Sequence, residues 1–438
     1  MLFSRVKCVD IHLVNELHQL NPWLKDPSLP LINESEFIPR IQLPQLLDKE
    51  WDPLWTVLTG PRRAGKTTLG KFLAQKLIEQ NRFSQVLYLN CDYLSIRNWL
   101  ASPYFVSQAK EEFNLSSFIL YIDEVQRLET PGLLLKAIID LNLPIKHIAT
   151  GSSQLEIKSK VQEFLTGRQL ESLILPLSHQ EWRIENRLEE TILYGCYPQV
   201  LKSTKKEIQL NEIYNNYINK DIIEILKIGQ PDIFQSLITL LAHSSGQLVN
   251  YNQLAMDCKI SVTTIRNYLD ILEKTYVVEK IKPFVGNKRA EITSNPIYYF
   301  IDNGFRNVAL RNFSALSTRA DMGLMVENFV FQEIYKFRAQ HYLNFDIHYW
   351  RTKSGAEVDF IVYTTEDKFL PIEVKYRNLT KPTITRGLRS FIEAYNPPAA
   401  LVISNELIAK VQIGDCTVHF IPLQQLTKIF DLIAVHIV

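Results

Sequence analysis

The sequence predicts an α/β protein built from three modules. Three observations predict it. Short apolar runs alternate with helical stretches from Trp51 onward, a helix-turn-helix pattern with a basic hairpin lies between 232 and 300, and α/β texture returns toward the C-terminus. At 438 residues the chain has room for about three domains of roughly 150 residues each. A hydrophobic fraction of 46% and a charged fraction of 22% are ordinary globular values. Lys+Arg 48 against Asp+Glu 47 leaves +1, so the global charge selects no partner and any phosphate-binding surface must be a local patch.

The cysteines, Cys8, Cys91, Cys196, Cys258 and Cys416, are scattered and form no C-x-x-C pair. Neither a zinc knuckle nor a disulfide framework is expected, and a reduced, cytoplasmic setting fits. The opening MLFSRVKCVD lacks a sustained apolar core, and no window approaches the ~20 apolar residues of a membrane span. No signal peptide and no membrane partner are therefore expected.

Residues 1–50 carry prolines at 22, 27, 30, 39 and 44 and read as a lead-in outside any domain core. Residues 51–180 read as a three-layer α/β domain. The runs WTVLTG, SQVLYLN, FILYIDE and IKHIATGS are continuous and apolar, as parallel strands buried on both faces must be. Between the first two, GPRRAGKTT spans Gly60, Pro61, Arg62, Arg63, Ala64, Gly65, Lys66, Thr67 and Thr68 and matches G-x-x-x-x-G-K-[ST]. The glycines let backbone N–H groups face phosphate oxygens, and the following helix adds its positive end. Lys66 is expected to reach the β/γ-phosphates of ATP and Thr67 to ligate Mg²⁺. Arg62 and Arg63 fit loop or partner contacts.

SFILYIDEVQ is an apolar strand ending in two acids. Asp123 is the expected second Mg²⁺ ligand, and Glu124 the group that polarises the attacking water. In IKHIATGSS, Ser152 or Ser153 suits a γ-phosphate sensor; either also suits the N-cap of the next helix. In LTGRQ, Arg168 suits an arginine finger, in cis or in trans, or an ordinary surface arginine.

Residues 181–231 read as a helical lid or linker, with NEIYNNYINKDIIEIL its clearest amphipathic piece. Residues 232–300 carry a winged-helix pattern. One short helix meets a polar turn, and a second follows with Ser261 as N-cap and Ile265, Leu269 and Leu272 on one face. Thr263, Thr264, Arg266 and Asn267 on its first turns suit DNA contacts. Lys288 and Arg289 in the wing, with Lys280 and Lys282 before them, suit phosphate contacts. The same module also serves elsewhere as a packing or protein-binding unit.

Residues 301–438 return to α/β texture. Glu357 and Asp359 are i, i+2 on one predicted strand, and Glu373 and Lys375 are i, i+2 on the next, so each pair shares a face. Thirteen residues lie between Asp359 and Glu373, enough for a hairpin. One face can then present three carboxylates and a lysine, hard ligands for Mg²⁺ with a group to orient water. Glu327 on the preceding helix is a further candidate ligand. Lys375, Arg377, Lys381, Arg386 and Arg389 follow without an acid among them, a patch suited to a nucleic-acid backbone.

The order GPRRAGKTT, YIDEVQ, ATGSS, LTGR, YGCYPQV, YINKDI, YYFIDNGFRN, MGLMVENFVF, EVDF and PIEVK resembles a prokaryotic group that couples an AAA-type P-loop ATPase to a C-terminal domain related to restriction endonucleases. The resemblance spans about residues 50–405. It departs at IDNGFRN, at Cys196 and at Val358, where the nuclease motif usually has proline. It implies a nucleotide-driven switch or motor-like ATPase; with the helix and basic-run residues above, the chain reads as an ATP-binding, ATP-hydrolysing switch acting with DNA. The alternatives are an ATP-gated metal-dependent endonuclease, or a regulatory ATPase whose nuclease-like domain is a binding platform.

Overall fold

The computed structural model describes residues 9–152, 165–182, 187–224, 226–284, 295–364 and 368–437. Two compact units divide the chain, residues 1–175 and 176–438.

In the first unit the apolar runs become strands buried on both faces, β1 (Trp55–Thr59), β2 (Gln85–Asn90), β3 (Phe118–Asp123) and β4 (Lys146–Gly151), and a half-buried β5 (Gln169–Leu173) joins them. All pairings are parallel, in the order β2-β3-β4-β1-β5. Successive side chains alternate between two cores. Val57, Leu87, Leu89, Leu120 and Ile122 face one, while Leu58, Val86, Tyr88, Ile119 and Tyr121 face the other. A parallel sheet collects the residues after its strands at one edge, which brings Gly60, Asp123 and Thr150 together.

The N-terminal segment departs from the expected lead-in, because it belongs to the core. Helix α1 (Ile11–Leu20) contributes Val14 and Leu17 to one cluster, and Trp23 enters the other. Its polar groups are drawn in because β2 is an edge strand with unpaired backbone groups. Helix α2 (Lys66–Glu79) opens directly from the glycine-rich loop.

The second unit holds an eight-stranded mixed sheet in the order β12-β13-β11-β10-β9-β8-β6-β7. Its strands are β6 (Val278–Pro283), β7 (Ile297–Phe300), β8 (Asp346–Arg351), β9 (Glu357–Tyr363), β10 (Phe369–Lys375), β11 (Ala399–Ser404), β12 (Ala409–Ile413) and β13 (Cys416–Pro422). Helices α3 (Tyr251–Cys258) and α4 (Val262–Lys274) precede β6, and Ser261 caps the second by accepting the Thr264 N–H. The β6–β7 hairpin does not stand apart from the C-terminal sheet: Lys282 and Pro283 pair in parallel with His348 and Tyr349 of β8. The sheet therefore runs across the boundary expected at residue 300.

Helix α5 (Met322–Gln340) is buried along most of its length. Several of its polar residues are paired inside the protein. Asn328 bonds both backbone groups of Phe300, and Lys336 pairs with Glu333 at 3.0 Å with both side chains fully buried. Among the described residues, no helix is long and apolar enough to cross a membrane, and Cys91, Cys196, Cys258 and Cys416 are free and buried.

Candidate functional site

Gly60 turns the chain out of β1 at φ +136°, and a Cβ there would lie 2.1 Å from the Ile174 carbonyl oxygen. No other residue fits. Gly65 adopts φ +98° at the start of α2. Lys66, 4% exposed, folds its ammonium over the loop and donates to the Gly60 and Pro61 carbonyls at 2.9 and 2.8 Å. Arg40 lies beneath, buried, donating to Leu175 O at 3.0 Å and to Ala64 O. Arg63 in the loop and Thr68 in the first turn of α2 are exposed.

Asp123 is 3% exposed at the end of β3. Its carboxylate accepts hydrogen bonds from Thr67 Oγ1 at 3.1 Å, from the Tyr88 hydroxyl at 2.7 Å and from Thr150 Oγ1. Burial pushes its pKa up, while the three hydroxyls pull it back toward the carboxylate. A carboxylate and a threonine hydroxyl in contact are hard oxygen donors, a set that fits Mg²⁺. Lys71, on α2, sits 4.2 Å over the Tyr88 ring, and its own burial lowers its pKa.

Glu124 stands in the left-handed region at φ 54°, ψ 45°. Its N–H is taken by Thr150 Oγ1 at 3.0 Å, and its Oε2 accepts from Gln126 Nε2 and from Ser152 Oγ at 3.3 Å. Gln126 also donates to Ser152 Oγ at 2.9 Å. Arg62 approaches the same carboxylate at 3.9 Å. Glu124, Gln126 and Ser152 thus form one polar group at the carboxyl edge of the sheet. Ser153 lies outside the described residues.

For Arg168 the cis reading is corrected. This residue precedes β5, whose first residue pairs with Trp55 at the start of β1, whereas the phosphate loop follows the end of β1. Arg168 therefore lies at the opposite edge of the sheet, in an exposed 2.5 Å pair with Asp140. It does not reach its own chain's loop.

In the second unit β9 and β10 are antiparallel neighbours. Asp359 Oδ2 accepts the Val374 N–H at 2.7 Å, and burial pushes its pKa up to about 6 against the pull of Lys375. Glu327 accepts the Tyr299 hydroxyl at 2.7 Å; burial and then the Asp359 charge hold its carboxyl well above the usual range. Both border a cavity of about 400 Å³ with Gln247, Arg351 and Glu357. Glu373, 3% exposed, accepts from Thr385 at 2.6 Å on Oε2 and pairs with Lys375 at 2.9 Å on Oε1, and its charge raises Asp359 further.

The expected three-carboxylate metal centre is therefore not assembled. Among the described residues no group of three or more His, Cys, Asp or Glu is placed to hold a metal ion. Glu357 is exposed and faces Arg351 at 3.7 Å.

On α4, Thr263, Arg266 and Asn267 are exposed; Arg266 packs over the Tyr251 ring at 4.9 Å. Thr264 is engaged by Ser261 at 2.8 Å. Lys288 and Arg289 lie outside the described residues. Lys280 is tied to Glu273 at 3.1 Å. Arg377, Lys381, Arg386 and Arg389 are exposed.

Sequence reasoning missed Tyr88, Gln126, Thr150 and Arg40. Thr150 and Gln126 sit inside the motifs already quoted and were legible as polar residues at strand ends. Tyr88 and Arg40 carry no local signature.

With this geometry in place the family matches are informative. The AAA domain family model matches residues 52–183. Residues 185–316 match a domain of unknown function, DUF8612, and residues 322–426 another, DUF4143. The first match supports an AAA-type P-loop ATPase domain; the other two name no activity. An uncharacterized protein of Haemophilus influenzae is 28% identical over 67% of this chain and 77% of its own length. An uncharacterized protein of Methanocaldococcus jannaschii is 26% identical over 80% of each chain. The solved structure of the replication initiator DnaA bound to AMPPCP and single-stranded DNA aligns at 16% identity and a TM-score of 0.29, over 57% of this chain and 92% of that one. That likeness is too slight to bear on this chain.

Proposed function

We propose that the protein is a Mg²⁺-dependent ATPase of the AAA type that works as a nucleotide-driven switch on DNA. One observation carries the ATPase reading: Thr67 and Asp123 are in contact beside a loop that presents Lys66, with Glu124 on the next residue. Lys66 leaves the Gly60 and Pro61 carbonyls to bind the β/γ-phosphates. Thr67 and Asp123 hold Mg²⁺, which supplies charge neutralisation at the phosphates. Glu124 accepts the proton of the attacking water, and Ser152 contacts the γ-phosphate end of the site. Purified protein should release phosphate from ATP only with Mg²⁺, and Lys66→Ala should abolish it. Undiminished turnover in that variant would contradict the assignment.

The exposed Arg377, Lys381, Arg386 and Arg389, with Thr263 and Arg266 on α4, support DNA as the partner. The commitment of Glu373 to Thr385 and Lys375 favours a binding platform over a cutting centre. Duplex-DNA binding should weaken steeply with salt, and an Arg386→Ala/Arg389→Ala double variant should flatten that slope. Mn²⁺-dependent cleavage by wild type that Asp359→Ala abolishes would favour the endonuclease alternative instead.

A further inference from the structure

The carboxylate that ligates Mg²⁺ in the proposed ATP site is oriented by a tyrosine of the neighbouring strand. That tyrosine is itself held by a side chain 67 residues earlier in the chain. Strand β2 is the edge of the sheet, so the backbone groups on its outer side have no partner strand. The N-terminal segment supplies side chains in place of one. The Asn21 amide donates to Tyr88 O at 2.9 Å and accepts the Tyr88 N–H at 2.7 Å, the pair of bonds a neighbouring peptide would make. Asn21 is fully buried and is anchored in turn to Leu17 O at 2.9 Å. Trp23 Nε1 donates to Val86 O at 2.9 Å, two residues along the same edge.

Fixing the backbone of Tyr88 fixes its ring. The ring stands edge-on to Tyr121 at 5.1 Å, under the Lys71 ammonium at 4.2 Å, and its hydroxyl ends on Asp123 Oδ2 at 2.7 Å. Burial and the Asp123 charge push the phenol far above its ordinary range, so it is a hydrogen-bond donor at every working pH. Tyr121 reaches the other side of the site, donating to Thr67 O at 3.2 Å.

We propose that Tyr88 is a positioning residue for the metal-ligand Asp123, and that Asn21 and Trp23 form an edge clamp that holds Tyr88 in register. The N-terminal segment is then part of the nucleotide site's machinery without touching nucleotide. The inference rests on the Mg²⁺–ATP reading of the loop.

Mn²⁺ and ADP are the probes. Mn²⁺ bound by the full chain with ADP is followed by electron paramagnetic resonance, and metal-free ADP binding and thermal melting are measured alongside. In Tyr88→Phe the Mn²⁺ affinity of the ADP complex should fall about tenfold or more, the loss of one hydrogen bond to a charged group. Metal-free ADP affinity should stay within about twofold, because no phosphate contact changes. Asn21→Ala should shift Mn²⁺ affinity in the same direction. Wild-type Mn²⁺ affinity in Tyr88→Phe would overturn the positioning role. A shift there with none in a folded Asn21→Ala would overturn the clamp. Failure of the wild type to bind Mn²⁺–ADP at all would overturn the ATP reading itself.

Discussion

Glu124→Gln isolates the chemical step from nucleotide binding. Glu124 is held by its backbone, which sits in the left-handed region with its N–H on Thr150 Oγ1, and by Gln126 and Ser152 on Oε2. Glutamine has the same size and keeps a carbonyl oxygen for Ser152 and Gln126 to bond. The left-handed backbone is already in place, so its strain of about 1–2 kcal/mol is unchanged by the substitution. What is lost is the negative charge that takes a proton from water. Removing a positioned general base costs about 10²–10⁴ in rate, or roughly 3–5 kcal/mol at about 1.36 kcal/mol per decade. ATP affinity should remain within about threefold, since Lys66, Thr67 and Asp123 are untouched. Phosphate release under single-turnover conditions measures the first quantity, and displacement of a fluorescent ADP measures the second. Turnover within about threefold of wild type would refute the base assignment.

Three further outcomes follow from the same structure. Gly60→Ala places a Cβ against the Ile174 carbonyl at a φ that L-residues rarely adopt, so it should lower stability by about 2 kcal/mol or more and abolish nucleotide binding; a melt superimposable on wild type would contradict this. Arg319, opposed by burial and helped by Arg306, holds the Asp321 carboxyl below its ordinary range, so the unfolded chain binds the extra proton on acidification. That stabilisation is complete above about pH 4 and drains away as pH falls further, and Asp321→Asn should flatten the acid limb of the denaturation curve. Burial, then the Glu273 charge, raises Glu279 to about 7, opposed by Arg338 and the Tyr335 hydroxyl. There the folded state binds the extra proton, so stability falls as pH rises from about 4.3 to about 7, and Glu279→Gln should stabilise at pH 8 but not at pH 4 in urea melts.

The strands and the phosphate loop were legible because their signals are local. A five-residue apolar run buried on both faces and a glycine spacing that only a turning loop needs can be read without knowing any neighbour. The roles of Asn21, Trp23 and Arg40 were not legible, because each bonds a carbonyl 63 to 135 residues away in the chain. Prolines in that segment suggested a loose lead-in, whereas Val14, Leu17 and Trp23 of the same segment enter the core. The cis reading of Arg168 failed for a directional reason. A residue just before a strand lies at its amino end, and in a parallel sheet that is the edge away from the phosphates. The acid spacing of β9 and β10 was read correctly as a shared sheet, but spacing says nothing of rotamers. Thr385, the N-cap of Arg386–Tyr395, holds one oxygen of Glu373, and Lys375 acts on Glu373 and Asp359 alike.

Lys66 and the Thr67–Asp123 pair are proposed to form a Mg²⁺–ATP site. Calorimetric titration of ATP in the presence of Mg²⁺ tests it most directly, comparing wild type with Lys66→Ala. Saturable one-to-one binding by the wild type is expected, with binding weakened at least about tenfold in the variant through the lost ammonium–phosphate bonds. Equal affinity in the two proteins, or no binding by the wild type, would contradict it.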